Sequence, residues 1–377
     1  MLKYGSRFED RPGDGADAAR LEWRHVAGFL GVTFALTWLV DLAIDLHGGL
    51  ETPGVVSVIQ LQMLVPACSA IVLGWRLFPE NSLYYRRSLG RARWFYYYVL
   101  VLTAVYVIGS AGIFVAPPGS TQLEVAATLP QVLAFLGVPV LIAVRLMAGR
   151  EGMARVGLAW GVPRDYLLYG LAFVGFYVLQ VVLNAIFGLG PTRPAPALPQ
   201  SGPGPEVLVV LAGIESVLLA PILAIVLAFG EEYGWRGYLQ AEICKLGRVR
   251  GVLIVGVIWG IWHWPLILMG WSYPGYPLMG LLLTVLFTIG LAVALGYVVF
   301  RTGSILLAAY LHALNDQVTG FLVFLGFKPF DPVFSFGVGI YGVVVLAVIV
   351  VLILRDPVWH GRAPAKVQVP PAASPIC

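Results

Sequence analysis

The chain has 377 residues, 59% of them hydrophobic and only 12% charged, where a soluble domain carries roughly twice that charged share. Mean hydropathy is +0.85 and the formal net charge is only +4. No basic run is interleaved with aromatics, so the composition excludes a soluble globule and lends no support to nucleic-acid binding.

Residues 1–24 are polar and mixed in charge, and read as a cytoplasmic segment with no cleavable signal peptide. A helix needs about 20 apolar residues to cross a bilayer. Stretches of that kind lie at 25–47, 54–78, 93–116, 122–147 and 166–190. The fourth is the weakest, because it carries Pro130 and Pro139. Residues 191–205 (PTRPAPALPQSGPGP) read as the longest external loop. Five more stretches follow at 206–230, 249–270, 278–300, 303–326 and 333–354. The segment 355–377 reads as a cytoplasmic tail, rich in proline and alanine and disordered towards its end. The expectation is an all-α, polytopic bundle of about ten spans, divided into a five-span bundle over 25–190 and a second set over 206–354. Cys68, Cys244 and Cys377 are too scattered for a disulfide framework or a zinc knuckle.

Orientation follows from the basic residues. Of the 24 Lys and Arg, 22 fall at alternate loops and termini on one side, with only Arg193 and Lys328 on the other. A miscounted span would have destroyed that split, so both termini are expected in the cytoplasm. The expected location is the plasma membrane of a prokaryote, as a multi-pass integral protein.

The polar chemistry concentrates in the second half. Glu231 and Glu232 end the sixth stretch, His263 lies inside the seventh, and His312, Asn315 and Asp316 lie inside the ninth. Ionisable groups are costly in a bilayer and are functional sites by default. Residues 206–244 read as one unbroken helix, followed by a turn at Gly247. Glu231 and His263 are each 16 residues from Gly247. Two antiparallel helices would therefore place them at one depth, about 24 Å from the turn. Glu232 and Arg236 are i and i+4 and can pair, as can His312 and Asp316, while Glu231 points about 100° away from Glu232. Taken singly, each group has a plain reading as a helix-end ion pair or a histidine bonded to a carbonyl. Three helices each carrying such a group favour a site. Glutamate with two histidines can run general acid–base chemistry. Glu231, His263 and His312 also make a two-His, one-carboxylate zinc set. The metal-free form is preferred, with zinc as the alternative.

The stretch G-E-E-Y-G-W-R-G-Y-L (Gly230–Leu239) resembles the E-E-x-x-x-R motif of the CPBP family. These are intramembrane proteases of the CAAX prenyl-endopeptidase and bacteriocin-processing type, also called the ABI family. W-G-I-W-H-W-P (Trp259–Pro265) resembles its second motif, an aromatic residue four before a histidine, with Trp259 where phenylalanine is commoner. H-A-L-N-D (His312–Asp316) resembles its third, with Asp316 where many members carry asparagine. The resemblance covers roughly 205–325 and leaves the five N-terminal spans outside. It implies that 206–354 is a protease core and that the chain is an endopeptidase acting on membrane-anchored proteins or peptides. It further implies that Glu231 activates water, that His263 supports that water, and that His312 and Asp316 stabilise the oxyanion. A charged Asp316 would repel an oxyanion, so it is neutral, or orients His312, or serves a metal; Asn315 is a substitute donor. Glu232 and Arg236 match the family's structural pair.

Two rivals remain. Asp41, Asp45, Gln180, Asn184 and Glu215 are further polar residues of the spans, read as wet groups near the outer interface or as a cation path. The path would make the chain a transporter or channel, against which stands the lack of an inverted repeat. The other rival is a protease-like scaffold without catalysis, against which stand the intact Glu231, His263 and His312. Trp262, Trp264 and Trp271 read as interfacial or packing aromatics, or as the lining of a substrate path.

Overall fold

The computed structural model describes residues 21–77, 90–189, 204–323 and 331–360. The N-terminal segment up to residue 20, almost all of the 191–205 loop and the tail beyond His360 lie outside the described residues. Within them the chain is a bundle of helices. Five helices make the N-terminal half: α1 (Trp23–Leu46), α2 (Val55–Arg76), α3 (Arg93–Val115), α4 (Thr121–Arg155, interrupted at Gly149) and α5 (Pro163–Phe187). The sixth apolar stretch forms α6 (Pro205–Leu218), α7 (Ala220–Leu223) and α8 (Ile225–Glu232), then a π-helical turn (Tyr233–Leu239) and α9 (Gln240–Ile243). After Gly247 come α10 (Arg248–Trp262), α11 (Trp264–Leu268), α12 (Pro277–Thr302), α13 (Ile305–Phe321) and α14 (Ile340–Ile353).

The local signals are ordinary ones. Proline sits in the first turn of α5, α6 and α12, where its missing N–H costs nothing. Ser120 and Ser304 cap α4 and α13 by accepting from Leu123 N and Leu307 N. Gly247 takes φ 113° at the turn before α10, a conformation that disfavours any side chain.

Six helices, α1 to α5 and α12, are long and apolar enough to cross a membrane. The other four expected stretches are also helical but shorter or broken. The protein is thus an integral membrane bundle. The unbroken helix expected over 206–244 is not what forms: it is interrupted around Leu219 and Ala224 and turns π-helical at Tyr233. Pro221 in the middle of the stretch has no N–H to continue the ladder.

Helices α2 and α12 are the central elements, 67% and 61% buried over their apolar windows, against 28% for α1. Between lipid-solvated helices the attraction comes from close packing, and small residues permit it. A Cβ at Gly230 would lie 2.3 Å from the Met63 carbonyl oxygen, and one at Gly234 would lie 2.4 Å from Pro66 Cβ. These two glycines let α8 and the π turn press against the backbone of α2. Gly256 and Gly260 do the same for α10 against α12, and the Thr288 hydroxyl donates to the Gly256 carbonyl across that contact at 2.9 Å. One apolar core runs through both halves of the chain, from Phe29 on α1 to Leu346 on α14.

Candidate active site

Glu231 and Glu232 end α8 at its contact with α2, and both are buried, at 3% and 0% exposure. Adjacent residues point in different directions, and each carboxyl group enters a different network. Glu231 Oε2 accepts from Trp259 Nε1 of α10 at 2.7 Å and from Trp235 Nε1, four residues on, at 3.3 Å. Its other oxygen, Oε1, makes no hydrogen bond within the described residues.

Glu232 is held on both oxygens. Arg236 Nε lies 3.1 Å from Oε2, and His312 Nδ1 of α13 donates to Oε1 at 2.8 Å. The guanidinium lies over the Trp259 ring, 4.4 Å from its centroid, a cation–π contact of the kind that gains most when desolvated. A buried ion pair of this sort adds little net stability while intact, but leaving one partner alone is costly.

His312 has a second carboxyl group at its other nitrogen: Nε2 lies 3.4 Å from Asp316 Oδ2. Asn315 Nδ2 donates to Asp316 Oδ1 at 3.1 Å, and Tyr177 of α5 donates to Asn315 Oδ1 at 2.7 Å while pairing with the Thr319 hydroxyl. His263 closes α10, where Pro265 denies the Ile261 carbonyl its N–H. Its Nδ1 donates to the Trp259 carbonyl at 2.9 Å. That bond leaves Nε2 as the acceptor in the neutral ring. The side chain of Asp316 is 38% exposed and His263 is half-buried. The site therefore opens at these two residues while both glutamates lie deeper.

The sequence-derived site residues are drawn together around Trp259, whose ring centroid is 6.0 Å from that of His263 and 5.4 Å from that of His312. Glu231 and His263 are each close enough to His312 to interact with it electrostatically. Several details differ from the sequence reading. His312 bonds Glu232, not Glu231, so Glu232 serves two partners rather than Arg236 alone. Glu231 reaches α10 at Trp259, about one turn short of His263, because the π turn and the turn at Cys244–Leu246 break the even rise that equal counting assumes. Arg236, counted among loop charges for orientation, is buried in the site at 2% exposure.

Among the described residues no three His, Cys, Asp or Glu side chains gather so as to hold an ion, and both nitrogens of His312 already face carboxyl groups. Trp262 is 3% exposed and hydrogen-bonds Thr37, so it packs inside the bundle and lines no path. Trp264 and Trp271 are half-buried.

The second polar group is not at a wet interface throughout. Asp41 is 2% exposed and accepts from Gln62 at 2.6 Å. Gln180 and Asn184 are fully buried, bonded to the Phe176 carbonyl and to Ser335. Asp45 and Glu215 are exposed. Each buried member has its own local partner.

Sequence reasoning missed the donors. Trp235 stands four residues after Glu231, and Trp259 four before His263, a helical spacing that could have flagged both indoles. Tyr177 carries no such signal.

No curated protein and no solved structure matches the chain. Residues 213–318 match the family described as type II CAAX prenyl endopeptidase Rce1-like. That segment, under a third of the chain, holds Glu231, Glu232, Arg236, His263, His312, Asn315 and Asp316, so the similarity to the CAAX protease family covers every sequence-derived site residue.

Proposed function

We propose that the chain is an intramembrane endopeptidase that hydrolyses peptide bonds of membrane-associated proteins or peptides, with Glu231 as the base that activates water. The carrying observation is the asymmetry of the Glu231 carboxyl group. One oxygen is pinned by two indole N–H groups and the other is left without a hydrogen-bond partner among the described residues, which is the arrangement a positioned general base needs. His263 Nε2 offers an acceptor for the same water. The water attacks the scissile carbonyl carbon as its proton passes to Glu231 Oε1. The carbonyl oxygen becomes an oxyanion and is received by the His312 Nε2–H. The proton on Glu231 then goes to the leaving amine, the C–N bond breaks, and the acid and amine products separate. Asp316 orients His312 in this scheme, and Asn315 is the second donor.

Glu232 and Arg236 hold His312 in place and take no part in proton transfer. In this scheme the chemistry needs no metal. Substrate and water reach the site at His263 and Asp316. The basic residues Lys245, Arg248 and Arg250 beside the Gly247 turn support a cytoplasmic side for that turn and for both termini.

The test uses the full-length chain in lipid nanodiscs with a farnesylated peptide ending in a C-a-a-X sequence. In parallel, membrane-protein termini are compared in cells carrying wild-type enzyme or Glu231→Ala. New termini that require Glu231 support the reading. Cleaved ends that appear equally with both proteins, together with an uncleaved peptide, would exclude it.

A further inference from the structure

Helix α1 lies outside the matched segment, yet it backs the site. Its buried face carries a stripe of His25, Phe29, Thr33, Thr37 and Asp41, one residue every four, with Val26 and Ile44 buried beside it. Phe29 meets Trp235, the second donor to Glu231, edge to face at 5.7 Å. Two turns further on, α1 grips Trp262 twice. The Trp262 indole Nε1 donates to Thr37 Oγ1 at 3.0 Å, and the Trp38 indole Nε1 donates to the Trp262 carbonyl at 3.2 Å.

Trp262 is the residue immediately before His263, at the break between α10 and α11. Its ring stands edge-on to the imidazole, with centroids 4.8 Å apart and planes at 82°, and it also meets Trp235 at 5.7 Å. A histidine at a helix break has lost part of the ladder that would fix its backbone. Its own hydrogen bond, to the Trp259 carbonyl, restrains one nitrogen only.

We propose that Thr37 and Trp38 are positioning residues for His263. By holding both the indole and the carbonyl of Trp262, α1 sets the plane and depth at which the imidazole faces the water beside Glu231. The consequence for hydrolysis rests on the function proposed above, whereas the coupling between α1 and His263 does not. On this reading the N-terminal half supplies a wall of the active site.

Thr37→Val keeps the side-chain shape and removes the hydroxyl acceptor. Thr33→Val makes the same change one turn earlier on the same buried face, where the hydroxyl has no hydrogen-bond partner among the described residues. Thr37→Ser restores the acceptor. Each variant is made in the full-length chain in nanodiscs. The Trp262 indole and His263 ring signals are followed by nitrogen-15 NMR, assigned by their loss in Trp262→Phe and His263→Gln. Cleavage of the farnesylated C-a-a-X peptide is measured alongside.

Thr37→Val is expected to shift both signals and to lower kcat about fivefold at unchanged KM, the effect of one lost hydrogen bond. Thr37→Ser should restore the signals and kcat, and Thr33→Val should leave them unchanged. The proposal is overturned if the His263 signal stays in place while that of Trp262 moves, if kcat is unaltered in an active enzyme, or if Thr33→Val has the same effect. If the wild type cleaves nothing, the hydrolase reading fails, and the His263 signal alone then decides whether α1 is coupled to it.

Discussion

Replacing Trp259 by phenylalanine tests how Glu231 is held. Phenylalanine is the commoner residue in the family the motif resembles, and its ring can still face the Arg236 guanidinium. The substitution deletes one interaction cleanly, the Nε1 donor 2.7 Å from Glu231 Oε2. A hydrogen bond of that length lies in the charge-assisted range, and bonds to charged groups contribute about 1.5–3 kcal/mol. Since ~1.4 kcal/mol is tenfold, losing the anchor corresponds to a fall of about 10- to 100-fold. Trp235 stays in place at 3.3 Å, which puts the expected loss in kcat near the lower figure, with KM little changed. Trp235→Phe removes the longer bond and should cost only roughly threefold, as for a weak hydrogen bond. Both are measured on the full-length protein in nanodiscs with the farnesylated peptide, after thermal melting confirms equal folded fractions. A Trp259→Phe enzyme as fast as wild type, or a Trp235→Phe enzyme slower than Trp259→Phe, would refute the claim that the Trp259 indole positions the base.

Three further outcomes follow from the same geometry. Arg236→Met leaves the Glu232 carboxyl group buried without its cation and should destabilise the fold by about 3–5 kcal/mol. Adding Glu232→Gln should recover more than half of that, as read by denaturation in detergent, and no recovery would mean that Arg236 acts through packing alone. Gly234→Ala forces a Cβ to 2.4 Å from Pro66 and should cost about 1–3 kcal/mol from overpacking, so an unchanged melting temperature would show that α2 can move away. Exhaustive chelation should leave cleavage intact. Loss of activity restored by zinc alone would transfer Glu231 and His263 from proton chemistry to metal ligation.

Much of the site could be read from spacing, and the rest could not, for identifiable reasons. Glu232 with Arg236, and His312 with Asp316, sit one helical turn apart, and local geometry suffices to pair them. The Gly247 turn was legible because glycine there stands between an apolar run and basic residues. Which of two adjacent glutamates meets His312 was not legible. The choice depends on a rotation of about 100° between neighbours, and the chain leaves α-helical geometry at Tyr233, just after the pair. That departure accompanies a tertiary contact, the approach of Gly230 and Gly234 to α2, which lies more than 160 residues earlier in the sequence. Trp235 and Trp259 were missed as donors for another reason. In a membrane chain tryptophan reads first as an interfacial anchor, and only the folded structure aims Trp235 and Trp259 at a carboxylate. Asp41, Gln180 and Asn184 read as wet because their side chains are polar, whereas each has a buried partner on another part of the chain or on its own helix.

On the mechanism proposed above, with Glu231 as the base, adjacency explains why the motif carries two glutamates rather than one. A base that must take and return a proton cannot also be the counter-ion of a buried cation, because pairing would hold its charge fixed. The bundle separates the two tasks by a single residue step. Glu232 spends both oxygens on Arg236 and His312, which tethers α13 to α8 and fixes the imidazole. Glu231 spends one oxygen on two indoles, neutral donors that orient it without a full opposing charge. Trp259 lies between the two systems, with its N–H on Glu231 and its ring under the guanidinium paired with Glu232. A phenylalanine there could serve only the second role. The tryptophan of this chain therefore links the structural pair to the base, and through Trp235 and Trp262 that link continues to α1. The N-terminal helix is accordingly joined to the site it backs by one continuous set of contacts.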